Sequence, residues 1–162
     1  MAKESTAHNF AAARQLLADL QKLPPFGQYV FRELFDNVSK SNSIETAAAA
    51  TKCQIAVTPG SFSLVGNTER GGALLEVTVM VYVFTSSQYA SGPAENETVD
   101  ALAISLAGAC NRFVYHAPGV MTPIPAHVKD IAELDMVQEA GFSEKVAARA
   151  IVLGFRLNLS KI

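Results

Sequence analysis

The chain has 162 residues, a length that fits one domain with a single hydrophobic core. Thirteen basic and fifteen acidic residues give a formal net charge of -2 without a lysine or arginine cluster, which argues against a sequence-specific nucleic acid partner. Charged residues are only 17% of the chain and hydrophobic residues 49%, so we expect part of the surface to be apolar. We therefore predict a single domain spanning residues 1–162.

The first residues are polar, and no apolar run reaches the length that crosses a bilayer. We expect no membrane partner and a protein that is made and assembled in the cytoplasm. Two cysteines, Cys53 and Cys110, could form at most one disulfide. Cys110 lies on an apolar helical face, where a free thiol behaves as a small hydrophobic group, so we interpret both as buried thiols.

The N-terminal segment predicts a helix, because apolar residues recur at helical spacing: Phe10, Ala13, Leu16, Leu17, Leu20 and Leu23. Ser5 or Thr6 is the expected N-cap, and the helix should end at Pro24-Pro25. The apolar stretch from Gln28 to Asn37 predicts a second helical piece.

The middle of the chain predicts strands. Residues Lys52 to Thr58 alternate and should stop at a Pro59-Gly60 turn, after which Phe62 and Leu64 begin a short second strand. A glycine-rich loop from Gly66 to Gly72 then leads into Leu74 to Phe84, a long β-branched and aromatic run that is apolar on both faces. Both faces of that strand require cover, from helices or from another copy of the chain.

The C-terminal half predicts a second helix and more strands. Asn96 is the expected cap of a helix whose stripe comprises Val99, Leu102, Ala103, Leu106, Cys110, Phe113 and Val114. Prolines make His116 to Ala126 a loop, a strand should follow from about Val128, and Arg149 to Leu159 alternates as a half-buried strand. The order of elements indicates an α+β fold, a mainly antiparallel sheet with an N-terminal helix and a central helix packed on it.

Catalytic and metal-binding patterns are weak throughout. His8, His116 and His127 lie far apart without a second ligand at metal-site spacing, and the glycine pairs lack the helix and cation of a phosphate loop. Cys110 with His116 is a conceivable nucleophile pair, but its thiol belongs to the core stripe. Glu133 and Asp135 are more typical of a solvated edge than of an acid-base pair. We expect no enzymatic activity, no cofactor and no metal.

The order of elements resembles that of the tail-terminator family of long-tailed bacteriophages. The shared pattern is an N-terminal helix, a strand ending at Pro59-Gly60, a charged loop, the long strand, the central helix and a closing strand. The resemblance implies a homo-oligomeric ring, usually a hexamer, that caps the tail tube and meets the head connector. Its partners would be the tail tube protein and the connector or neck protein, and its location the virion tail.

Two other functions remain open from the residues alone. A head-to-tail connector or neck subunit has a similar small α+β architecture. A small ligand-binding or hydrolytic domain would use Cys53, Cys110 or His116.

The resemblance and the apolar strand together suggest contact residues. Met80, Tyr82 and Phe84 share one face of the long strand, which the two helices need not cover, and ring closure would bury that face or its edge. Glu69 and Arg70 at the loop tip are expected to contact the tube or the neighbouring subunit.

The closing strand presents Ile151, Leu153, Phe155, Leu157 and Leu159 to one face, which should pack against the stripe of the central helix. Arg156 lies on the opposite face, where it is available to a neighbouring subunit.

Overall fold

The computed structural model describes residues 5–27, 29–33, 35, 54–67, 72–86, 93–132 and 146–159. Two helices and seven strands occur in this part of the chain. In chain order they are α1 (His8–Lys22), β1 (Val30–Glu33), β2 (Gln54–Asn67), β3 (Ala73–Ser86), α2 (Pro93–Cys110), β4 (Val114–Tyr115), β5 (Ile124–Pro125), β6 (His127–Ala132) and β7 (Val146–Asn158).

Five strands form the main sheet in the order β1-β2-β3-β7-β6, and β4 pairs with β5 in a small separate ladder. Only the β1–β2 pair is parallel; the other neighbours of the main sheet are antiparallel. With α1 and α2 packed against it, this sheet confirms the expected α+β class.

Both helices cover the same face of the sheet. The core contains the odd-numbered residues Val77, Val79, Val81 and Val83 of β3, together with buried residues of both helices. Along β7, Ile151, Leu153, Phe155 and Leu157 belong to the same cluster as the α2 stripe, which confirms the predicted packing for these four residues. The prediction is wrong for Leu159, which lies beyond the end of β7 and is 38% exposed. Alternation along β3 and β7 therefore sends their even-numbered residues to the sheet face away from the helices. We call this the open face for its position, although Ala56, Tyr82 and Ala150 on it are buried.

The first helix differs from expectation at its start. Its N-cap is Ala7, which makes no side-chain hydrogen bond, so neither Ser5 nor Thr6 caps it. The amide of Ala11 donates to the Ala7 carbonyl at 2.9 Å, and burial of the leucine face stabilises the helix in place of a cap. The predicted end is confirmed, because the helix stops at Lys22, just before Leu23 and the proline pair.

The predicted second helical piece is wrong where the chain is described. Residues Val30–Glu33 form a strand instead, with Phe31 opposite Ile55 in parallel pairing. A short apolar run has no decisive period of its own, and the free backbone edge of β2 supplies the hydrogen bonds that make it a strand.

The predicted Pro59-Gly60 turn is also wrong, since β2 continues through it. The register with β3 shifts between Pro59 and Phe62, which marks a β-bulge that accommodates a residue without an amide hydrogen. A Cβ on Gly60 would lie 2.5 Å from the Thr78 carbonyl oxygen, so only glycine fits this close approach. The Thr78 hydroxyl accepts a hydrogen bond from the Ser61 amide at 2.9 Å and secures the bulge.

Three boundaries in the C-terminal half need correction. Helix α2 begins at Pro93, so Asn96 lies in its first turn and does not cap it; proline suits this position because its missing N–H would have no partner there. Val114 leaves the helix and enters β4, and the expected proline loop contains β5. The strand expected from about Val128 is confirmed as β6, and the positions beyond 132 lie outside the described residues.

Candidate self-association surface

The outer half of β2 is an exposed apolar edge. Among the described residues, the pairing of β1 with β2 ends at Glu33 opposite Val57, and residues 61–66 are all exposed. Phe62 and Leu64 are 63% and 68% exposed. They stand opposite Val77 and Leu75, on the helix side of the sheet. We call residues 61–66 the outer arm.

Helix α1 ends its cover of β2 just before the outer arm. The Asn9 side chain at its first turn donates to the Gly60 carbonyl at 2.9 Å, and the strand then extends past the helix. Ser61 to Gly66 carry no charge, and an uncharged apolar edge strand is a ready template for association with another chain. The arm leads into the loop that holds Glu69 and Arg70, two predicted contact residues that lie outside the described residues.

The open face carries the other predicted contact residues. Tyr82 is only 2% exposed, and its hydroxyl donates to the Met80 sulfur at 3.6 Å. Its neighbours in the ladder are Ala56 and Ala150, whose small side chains leave room for the ring. Tyr82 therefore offers almost no surface to a partner, whereas Met80 is half-buried. The Phe84 side chain lies outside what the structure describes, although its backbone pairs within β3.

Arg156 belongs to an ion cluster on the open face. Its Nε lies 3.5 Å from one carboxylate oxygen of Glu76, and Lys129 Nζ pairs with the other oxygen. Glu76 is buried, and the two cations compensate its charge. Lys129 reaches across β7 over Gly154, where a Cβ would lie 2.7 Å from its Cδ. Arg156 itself remains more than half exposed, so its guanidinium is accessible on this face.

Of the residues that suggested chemistry, Cys53, Glu133 and Asp135 lie outside the described residues, whereas Cys110 and His116 have structural explanations. Cys110 is fully buried, which confirms the expected buried thiol, and burial raises its pKa to about 12. Such a thiol stays protonated at neutral pH and cannot reach a substrate. His116 lies at the surface, and its amide donates to the Gln15 side chain at 2.9 Å. The structure thus disfavours a Cys110–His116 nucleophile pair.

His8 and Tyr115 form a contact between α1 and β4. The Tyr115 hydroxyl is 2.7 Å from His8 Nδ1, and the two rings meet edge to face. Burial lowers the pKa of His8 and raises that of Tyr115 to about 12, so a neutral imidazole and a neutral phenol share this hydrogen bond at neutral pH. The pair ties the first turn of α1 to the core through Tyr115, which is fully buried.

An open groove of about 380 Å³ lies between the C-terminal ends of the two helices. Leu20 and Phe113 line it, and Lys22 and Arg112 stand at its rim. Both helices end here, and cations near helix C-termini offset the partial negative charge of their free carbonyl groups. The two cations therefore suit the helix ends beside them, and Asp19 also lines the groove.

Within the described residues, no group of three His, Cys, Asp or Glu side chains is placed to hold a metal ion. Neither described helix has the length and apolarity needed to cross a membrane.

No protein-family model matches the chain, and no curated protein matches it in sequence.

Proposed function

We propose that this chain is a structural subunit of a phage tail, which assembles into a hexameric ring in the virion, caps the tail tube and joins it to the head connector. The observation that carries the proposal is the exposed apolar outer arm of β2. The proposal joins that observation to the element order, which resembles that of tail terminators.

The outer arm supplies a physical reason for association. Full burial of a leucine or phenylalanine side chain is worth about 1.5–3 kcal/mol, so covering the exposed two-thirds of Phe62 and Leu64 provides about 1–2 kcal/mol each. Exposed apolar patches of this kind mark interaction sites in soluble proteins. In the proposed assembly the outer arm rests on the tail tube, and the adjoining Glu69–Arg70 loop contacts the same partner.

The ring itself is tested by light scattering of the purified chain at high micromolar concentration, with and without tail tubes from virions of the source phage. We expect a mass near six times the 17.3 kDa of one chain, or assembly of that size on the tubes. A strictly monomeric mass together with no assembly on tubes would contradict the proposal.

The role of the outer arm is tested by co-sedimentation with tail tubes. Leu64→Gln should leave the chain folded and weaken tube binding by about five- to thirtyfold, the equivalent of about 1–2 kcal/mol. Ile104→Gln is a matched control, because Ile104 is also 68% exposed but lies on α2. Equal binding by the two variants would remove the arm from the interface.

The charged loop is tested by measuring incorporation into particles, together with binding to tail tubes. Glu69→Lys combined with Arg70→Glu preserves the net charge, and we expect the folded double variant to fail to incorporate into particles. Normal incorporation would exclude the loop as a contact. Binding to head connectors without binding to tail tubes would favour a neck subunit instead.

A further inference from the structure

In the part of the chain that the structure describes, the two outermost strands of the main sheet run in opposite directions. Strand β1 is parallel to β2, and the antiparallel steps through β3 and β7 leave β6 running against it. If the axis of a ring runs parallel to the strands, the rotation that relates one copy to the next leaves the direction of every strand unchanged. The β1 edge of one copy then meets the β6 edge of the next in the antiparallel sense, which the rest of this sheet also uses.

One register matches the side chains of these two edges. Placing Phe31 opposite Ile131 puts Arg32 opposite Asp130. The faces agree, because Phe31 pairs with Ile55 and Ile131 with Ile151, both on the core face.

The charged pair also shares a face. Arg32 stands opposite Ala56, and Asp130 opposite Val152, both on the open face. Directly opposed residues of antiparallel strands point to the same side, so this register creates one apolar pair and one ion pair.

Both edges hold groups that lack such partners within the described chain. Ile131 is 41% exposed at the sheet edge. Arg32 donates to the Gln54 side chain at 3.2 Å, and in the described residues neither Arg32 nor Asp130 forms an ion pair. Lys129, a charge of the type that often protects an edge strand, is instead drawn over the open face by Glu76.

We propose that β1 of one copy adds to β6 of the next copy as an antiparallel strand, with Phe31 opposite Ile131 and Arg32 opposite Asp130. The partner is a second copy of this chain, identified by the complementary charge and matching faces of the two edges. This inference rests on the ring assembly proposed above and names the contact that closes it.

The β1 and β6 edges of one chain are too far apart to pair with each other. Three strands lie between β1 and β6, so the two edge strands are four spacings of about 4.8 Å apart, or about 19 Å across the sheet. Any energetic coupling between Arg32 and Asp130 must therefore come from contact between copies.

Charge reversal tests the contact. Arg32→Asp and Asp130→Arg should each reduce assembly at least about tenfold, because each places like charges opposite each other. An equimolar mixture of the two variants should recover assembly in rings that alternate the variants and so contain an even number of copies. The double variant Arg32→Asp with Asp130→Arg should recover it alone. Asp19→Arg, an exposed reversal on α1, is the control and should assemble normally.

A crosslink gives a second readout that does not depend on charge. Arg32→Cys with Asp130→Cys in one chain places the two cysteines opposite each other across the contact, at the separation that a disulfide requires. Mild oxidation with copper phenanthroline should give a ladder of covalent oligomers, which the parent chain and each single cysteine variant lack.

The outcomes separate the two proposals. If the parent forms rings but the reversals assemble normally, or neither the mixture nor the double variant recovers, the strand pairing is overturned and the ring stands. Absence of the crosslinked ladder from assembled rings also overturns the pairing. A parent that stays monomeric in all conditions overturns both.

Discussion

Phe155 provides the sharpest test of the core, because its side chain on β7 packs against Tyr115 of β4 and so joins the main sheet to an element outside it. Its side chain is 1% exposed on β7, and its ring centroid lies 4.8 Å from that of Tyr115. Val77 stands opposite it on β3. Phe155→Ala removes this ring and leaves a cavity among residues from several elements.

The expected cost of Phe155→Ala is about 3–5 kcal/mol, the range for phenylalanine truncation in a packed core. This is a large part of the 5–15 kcal/mol that stabilises a typical domain. For a chain of this length, each kcal/mol lowers the melting temperature by about 2–4 °C, so we expect a fall of about 6–20 °C. Insoluble or unassembled protein would accompany the largest losses.

Thermal and urea unfolding followed by circular dichroism measure the effect. Arg156→Ala is the matched control from the next position, because the guanidinium is 58% exposed and Lys129 still pairs with Glu76 after its removal. A Phe155→Ala variant that melts within a degree of the parent would show that β7 does not hold the core together, and the packing argument would fail.

Two further predictions concern pH and the bulge. Burial lowers the pKa of His8 in the folded chain below its ordinary 6.5, so the unfolded chain binds the proton more tightly. The contribution of neutral His8 to the free energy of unfolding is therefore complete above pH 6.5 and is lost as the pH falls below that value. His8→Gln should remove that part of the loss between pH 7 and pH 5, and identical pH dependence in urea unfolding of variant and parent would refute this. Gly60→Ala should cost about 1–3 kcal/mol, because the added methyl meets the Thr78 backbone, whereas Gly108→Ala in open space on α2 should gain about 0.5–1 kcal/mol. Calorimetry that gave both glycine variants the same sign would contradict the steric argument.

The sequence predicts well the elements whose pattern is long. The leucines of α1, the stripe of α2 and the alternation in β3 and β7 each repeat over three or more turns or over ten or more strand positions. Tertiary context rarely overrides a period of that length. The α+β class and the packing of β7 against α2 follow from those four elements, and both are confirmed.

Other features depend on pairing between distant residues. Val30–Glu33 is a strand because β2 offers it an edge, and Pro59-Gly60 is a bulge because Thr78 holds the chain there. Neither contact has a local signature, since the partners lie more than 15 residues away.

The candidate surface shows the same division. The sequence indicates that β3 has two apolar faces, but only the structure shows that Tyr82 is buried and that Met80 keeps some exposed surface. The exposure of Phe62 and Leu64 follows from the end of β1 and from the end of helix cover at Gly60. Side-chain period is fixed by the order of residues, whereas the position of an edge is fixed by which strands lie beside it. The order of residues therefore determined the elements with long patterns and their inward faces, whereas only the tertiary structure decided the short strand β1, the bulge at Pro59-Gly60 and the edges left open to a partner.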